Sequence, residues 1–273
     1  MIKKNSPKIT TIKSWNKLAK EINKFANFPW YIYRGQRRSD WLLESTLSRV
    51  LKKIKIPDKN SLAEEHLEKF KLCIRGRRGS NPAKLSENEL WALGQHFGLH
   101  TPLLDWSQSP YVALFFAFSS IKKSETGYRS LWVLNSHDIE RINSWYKKEK
   151  KETAEYHIEL INPILDENSR LVNQNGLFTK LDIDTDIERW VTNCAEDINW
   201  LTLVKINISE KLRDEVLVFL DLMNISYSSL FPDLFGSSMD SNIRLEQADY
   251  LKSQRQKIWD AFEKIKTTHN KGS

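Results

Sequence analysis

The sequence predicts an α+β fold: a mainly antiparallel central sheet flanked by helices, with a buried central helix at 110–119 and a helical C-terminal region. Three observations lead there. Helical patterns open the chain and strand patterns cluster in its middle, which argues against the alternating units of a doubly wound parallel sheet. The run Tyr111–Phe118 (YVALFFAF) is apolar nearly all round, so the helix that carries it belongs at the centre. A glycine-rich phosphate loop of the Walker or Rossmann type is absent from the sequence.

In chain order, Ile12, Trp15, Leu18 and Ile22 recur at helical spacing. The aromatic, β-branched run WYIYRG at 30–35 reads as a strand. Ala63, Leu67, Phe70 and Ile74 share one face of a helix over 61–74, and Cys73 beside them is expected to be buried packing. Ser86 with Glu89 forms a capping box, and Gly98 suits the stop of that helix. Ser109 fits an N-cap and Pro110 the first helical position of the central helix. A strand at 130–135 and a helix at 136–149 follow. Strands are expected at 154–161, within 169–181 and at 200–208, with helices at 184–194 and 209–224 between and after them. A helical tail runs from about Pro232 to Lys266. The chain divides as a domain over 1–250 and a tail over 251–273 that ends in a flexible terminus.

The longest apolar run has eight residues, too short to span a bilayer. The N-terminal stretch has no apolar segment of signal-peptide length, so a soluble, cytoplasmic protein is expected. Two distant cysteines, Cys73 and Cys194, cannot build a thiol-rich metal site, and no metal is expected. The net charge is +7, but residues 1–60 hold 15 Lys+Arg against 4 Asp+Glu. A basic N-terminal third fits a polyanion nearby (nucleic acid, a nucleotide or an acidic protein) or a solvated face.

Three stretches carry chemistry. In Tyr33-Arg34-Gly35-Gln36, an arginine fork that matches phosphate or carboxylate sits at a strand end, beside a glycine that admits a ligand or a neighbouring strand. The competing reading pairs Arg34 with an internal acid such as Asp105. In Leu93–Phe118, an extended segment with His96, His100, Thr101, Asp105 and Trp106 leads into the central helix. The free N–H groups of that helix favour an anion, and Asp105 is itself a candidate for it. In Asn168–Leu181, Arg170, Gln174, Gly176 and Phe178 fall on one face if the segment is a strand, as the floor of a polar pocket.

Together these stretches resemble the FRG domain family, named for its Phe/Tyr-Arg-Gly motif. The likeness covers residues 33–36, the block GQHFGLHTPLLDWSQSPYVALFFA, the Arg-x₃-Gln-x-Gly-x-Phe of 170–178 and NISYSSLFPDLFG at 224–236. His100 departs from it, standing where a small or polar residue is commoner. The chain also resembles the ADP-ribosyltransferase fold, whose arginine-specific members open with an aromatic-Arg-Gly strand that holds NAD. That likeness implies NAD as substrate in an ADP-ribosyltransferase or NAD-cleaving enzyme. Read as an NAD site, the three stretches put Arg34, Gly35, Gln36, His96, Trp106 and Arg170 at the dinucleotide, and Asp105 and Gln174 at the chemistry. Gln174 stands where the family carries a glutamate. An amide can hydrogen-bond a ribose but cannot stabilise an oxocarbenium by charge. The resemblance is compatible with a bacterial defence or toxin system. The alternative is a non-catalytic module that binds nucleic acid, a nucleotide or an acidic protein through the basic N-terminal third.

Overall fold

The computed structural model describes residues 7–149, 157–163, 169–194 and 203–269. Among the described residues, seven strands form one sheet: β1 (Lys8–Ile12), β2 (Tyr31–Gln36), β3 (Leu103–Ser107), β4 (Tyr128–Asn135), β5 (Glu159–Ile161), β6 (Gly176–Lys180) and β7 (Leu203–Ser209). Their order is β1-β7-β4-β2-β3-β6-β5. β1 runs parallel to β7, and every other neighbouring pair is antiparallel. The helices are α1 (Trp15–Ala26), α2 (Thr46–Leu51), α3 (Lys59–Cys73), α4 (Glu87–His96), α5 (Pro110–Phe118), α6 (Ser136–Lys148), α7 (Ser169–Asn173), α8 (Ile187–Cys194), α9 (Arg213–Leu222), α10 (Tyr227–Leu230), α11 (Leu234–Glu246) and α12 (Ala248–His269). None of the described helices is long and apolar enough to cross a membrane.

The α+β class with a mainly antiparallel sheet is therefore what the chain adopts. β1 corrects the sequence reading, in which Ile12 opened a helix; the helix begins at Trp15, and Lys8–Ile12 is an edge strand. The expected flexible end lies outside the described residues, as do the first part of the strand expected at 154–161 and the start of the one at 200–208.

Three apolar clusters hold the layers together. On one face of the sheet α5 packs with α1, α9 and α11 around Leu18, Leu114, Phe118, Val216 and Ile243. On the other, α6 and α8 bury Ile139, Ile142 and Trp190 against Ile32, Trp132 and Leu134. At the β3–β6–β5 end, α2, α3 and α4 close over Leu103, Ile161 and Phe178. Cys73 is exposed, contrary to the expectation of buried packing, because α3 buries Ala63 and Leu67 and turns its last residue outward.

α5 is buried at every position except the half-buried Tyr111 and Phe116. Ser109 caps it, its side chain accepting from the Val112 N–H at 3.3 Å. Its far end is pinned by Arg129, whose side chain is 0% exposed and donates to the Ala117 carbonyl at 2.7 Å and to Glu210 at 2.7 and 2.8 Å. Gly35 explains how close α5 lies to β2. A Cβ there would stand 1.8 Å from the Ala113 carbonyl oxygen. The glycine of the Arg-Gly motif thus admits a helix, not the ligand or strand that the sequence suggested.

Candidate functional site

Between α4 and α5 the sheet is left uncovered, and a cleft of about 390 Å³ opens over β2, β3 and β6. That volume falls in the range of small-molecule sites. Its walls include Tyr33, Arg34 and Gly35 from β2, Gln95 and His96 from α4, and Asp105, Trp106 and Ser107 from β3. Ala113 and Phe116 come from α5, Phe178 from β6, Arg170, Leu171 and Gln174 from α7 and its turn, and Phe231 from the loop after α10.

Arg34 stands at the seam of the sheet. Pairing between β2 and β3 occurs at Tyr33–Ser107 alone. Beyond it the Arg34 guanidinium bridges the two strands, with Nη1 donating to the Asp105 carbonyl at 2.6 Å and to its carboxylate at 3.4 Å. The Arg34 side chain is 20% exposed, and its Nε is buried without a hydrogen-bond partner. Burial pulls Arg34 below the ordinary arginine value, and Asp105 opposes that shift. An arginine keeps its charge even so. Beside it, burial and the neighbouring Tyr31 push the Tyr33 hydroxyl up to about 12, and that hydroxyl is buried without a partner.

Asp105 is 61% exposed, so its carboxylate faces the open cleft. Gln95 Nε2 donates to its Oδ1 at 2.5 Å. Asp105 does not satisfy the N–H groups of α5, as its place in the sequence suggested. Ser109 does so, and Ser107 joins the helix to the opposite wall, accepting from the Ser109 N–H at 3.0 Å and donating to the Gln174 carbonyl at 2.7 Å.

Arg170 and Gln174 do reach the cleft, but not by strand alternation. They lie four residues apart across α7 and its turn, and β6 begins only at Gly176. Asn175, at φ 47°, breaks the helix into the strand. Gln174 Nε2 makes a long contact of 3.4 Å with the Leu230 carbonyl. Arg170 is engaged by Asp233 at 2.5 Å and lies over the rings of Phe231 and Phe235. This arginine holds the Asp233 carboxyl below its usual range, with the Gly236 N–H adding to the effect.

Two other expected ligand contacts fall differently. Gln36 is outside the cleft: it is buried, its Nε2 donates to the Leu42 carbonyl at 3.1 Å and its Oε1 accepts from the Trp132 indole at 2.8 Å. Trp106 forms part of the back wall but is itself buried, its indole N–H donating to Thr179 at 2.9 Å. His96 lines the mouth, edge-on to Phe97 with ring centroids 4.7 Å apart. Sequence reasoning missed Gln95, although it lies within the quoted block between Gly94 and His96. It also missed Phe116, which read as core of the central helix, and Phe231, which entered only within the 224–236 block.

The cleft therefore combines a fixed cation, an exposed carboxylate beside it, two amides and aromatic walls. Such a lining suits a ligand that carries both an anionic group and a flat ring. Neither a curated protein nor a solved structure matches the chain. A family model does, and it covers β2 through α5, with Arg34, Gln95, Asp105 and Phe116 inside the match and Arg170, Gln174 and Phe231 outside it. Residues 30–126 match the FRG domain.

Proposed function

We propose that the cleft binds a dinucleotide of the NAD type and that the protein breaks its nicotinamide–ribose bond, passing the ADP-ribosyl group to water or to an acceptor. The observation that carries this reading is the convergence of Arg34, Asp105 and Gln174, from three separate stretches of sequence, on one concave surface. Nη1 of Arg34 is committed to Asp105, so Nη2 is the donor left to face a phosphate oxygen, with the buried Nε behind it. Phe116, Phe231 and His96 offer faces and edges to a ring, and the Gln174 amide is within reach of a ribose hydroxyl. Arg170 is held by Asp233, so it shapes the wall and is a weaker candidate for phosphate.

In the reaction the C–N bond breaks with both electrons leaving on nicotinamide, which departs neutral. The ribose is left as an oxocarbenium cation. A nucleophile then adds to that carbon and loses a proton. Among the described residues of the cleft, Asp105 supplies the negative charge for the cation, in place of the glutamate that Gln174 replaces. The test is a pair of variants assayed for nicotinamide release. Asp105→Asn lowers kcat by roughly a hundredfold or more with little change in NAD affinity if the carboxylate stabilises charge. Gln174→Glu, which restores a second carboxylate, raises turnover. An Asp105→Asn protein that releases nicotinamide at the wild-type rate contradicts the assignment.

A further inference from the structure

We infer that Gln95 and Thr101 are positioning residues that hold the Asp105 carboxylate toward the ligand, an inference that rests on the reading of the cleft as an NAD site. Asp105 is 61% exposed, and a surface aspartate is ordinarily free to change rotamer. Here both oxygens meet directional donors. Gln95 is the nearer, at 2.5 Å from Oδ1, whereas Arg34 reaches Oδ2 at 3.4 Å.

A glutamine amide presents either its oxygen or its nitrogen to a neighbour, so something must choose. Thr101 makes that choice. Its Oγ1 accepts from the Leu103 N–H at 3.3 Å and donates its own hydrogen to Gln95 Oε1. The Gln95 nitrogen is thereby directed at Asp105. Thr101 is 0% exposed, and its backbone is held on both sides by α2: its N–H donates to Thr46 Oγ1 at 3.0 Å and its carbonyl accepts from the Leu47 N–H at 3.1 Å. A line of hydrogen bonds thus runs one way, from the β3 backbone through Thr101 and Gln95 to the exposed carboxylate. Charge stabilisation needs a group already in place when the cation forms, because reorganisation during the reaction adds to the barrier.

Thr101 makes the inference testable. It is buried behind Gln95 and is not among the residues lining the cleft, so its effect on chemistry travels through Gln95 and Asp105. Thr101→Val keeps nearly the same shape and removes the hydroxyl. It should lower kcat for NAD by about tenfold to about a hundredfold, with little change in KM. Thr101→Ser keeps the hydroxyl and should restore most of the turnover. In an Asp105→Asn background, Thr101→Val should add no further loss. An equal loss in both backgrounds, no rescue by serine, or full turnover in Thr101→Val overturns the inference. If Thr101→Val does not fold, Gln95→Leu, at a half-buried position, should show the same loss of kcat and the same absence of further loss in the Asp105→Asn background. If the wild type consumes no NAD, the functional reading fails first, and the positioning claim is decided by high-resolution crystal structures. Asp105 should occupy one rotamer against Gln95 in the wild type and several in Thr101→Val. One and the same rotamer in both proteins overturns it.

Discussion

Gly35→Ala tests whether the motif glycine serves the helix or the ligand. The added Cβ would stand 1.8 Å from the Ala113 carbonyl oxygen, 2.7 Å from the Ala117 amide nitrogen and 2.9 Å from the Ala113 carbonyl carbon. Unstrained contacts of this kind lie near 3.5 Å, so α5 and β2 must separate by on the order of 1.5 Å. All three atoms are backbone, and no side chain can rotate away to relieve the clash. α5 cannot retreat freely, because Leu114 and Phe118 are fully buried and Arg129 holds the Ala117 carbonyl. Overpacking of a tight core costs typically about 1–3 kcal/mol, and a backbone clash belongs at or above the top of that range. For a domain of this size, about 3 kcal/mol lowers the thermal midpoint by roughly 6–12 °C. The control is Gly76→Ala. Gly76 has φ 69° and nothing within 4 Å of its Cβ position, so only backbone strain of about 1–2 kcal/mol is expected. Thermal and urea melts of both variants settle the matter. A Gly35→Ala midpoint at or above that of Gly76→Ala would refute the close-approach reasoning.

Three further outcomes follow from the packing and charges. Glu210→Gln leaves Arg129 buried beside a neutral partner and should destabilise by about 3–5 kcal/mol, read as a lower urea midpoint with an unchanged slope. Burial raises the Glu188 carboxyl on folding, with the Leu43 N–H and Lys205 opposing the shift. A carboxyl raised on folding is destabilising while ionised, and the penalty fades as pH falls through its folded value toward its unfolded one. Glu188→Gln should therefore raise the thermal midpoint at neutral pH and not below about pH 4, whereas an equal gain at both would count against this. Finally, residues 1–60 hold 15 Lys+Arg against 4 Asp+Glu. Ion pairs already engage Lys24, Arg34, Arg38, Lys52 and Lys59. Titration with duplex DNA should show weak binding that falls steeply with salt, and no binding at low salt removes nucleic acid from the partners.

What the sequence made legible follows from burial. α5 was readable because an apolar helix with a Ser-Pro start has one place to go, and Gly98 because its φ of 88° is where a helix stop wants glycine. β1 was hidden because an edge strand that buries only Ile12 shows no alternation, and its parallel partner β7 lies far along the chain. The segment carrying Arg170 and Gln174 misled because a four-residue spacing satisfies both an alternating strand and a helical turn. Both conformations bring the two side chains to one side, so their convergence was foreseen and its cause was not. Gln36 was misplaced because nothing local announces the Trp132 indole that claims it from the next strand. Cys73 follows the apolar face of α3 in sequence but lies at its exposed end. The Arg34–Asp105 contact was foreseen as a pair, yet the part of Gln95 and Thr101 in it depends on how α4 returns onto β3.

The central claim, that this cleft holds a dinucleotide through Arg34, is tested most directly by isothermal titration with NAD, wild type against Arg34→Lys, with nicotinamide release followed in the same samples. Lysine keeps the charge but loses the planar fork. The expected result is saturable binding by the wild type, affinity weaker by about tenfold or more in Arg34→Lys, and nicotinamide released by the wild type. No heat of binding and no NAD consumed by the wild type would contradict it.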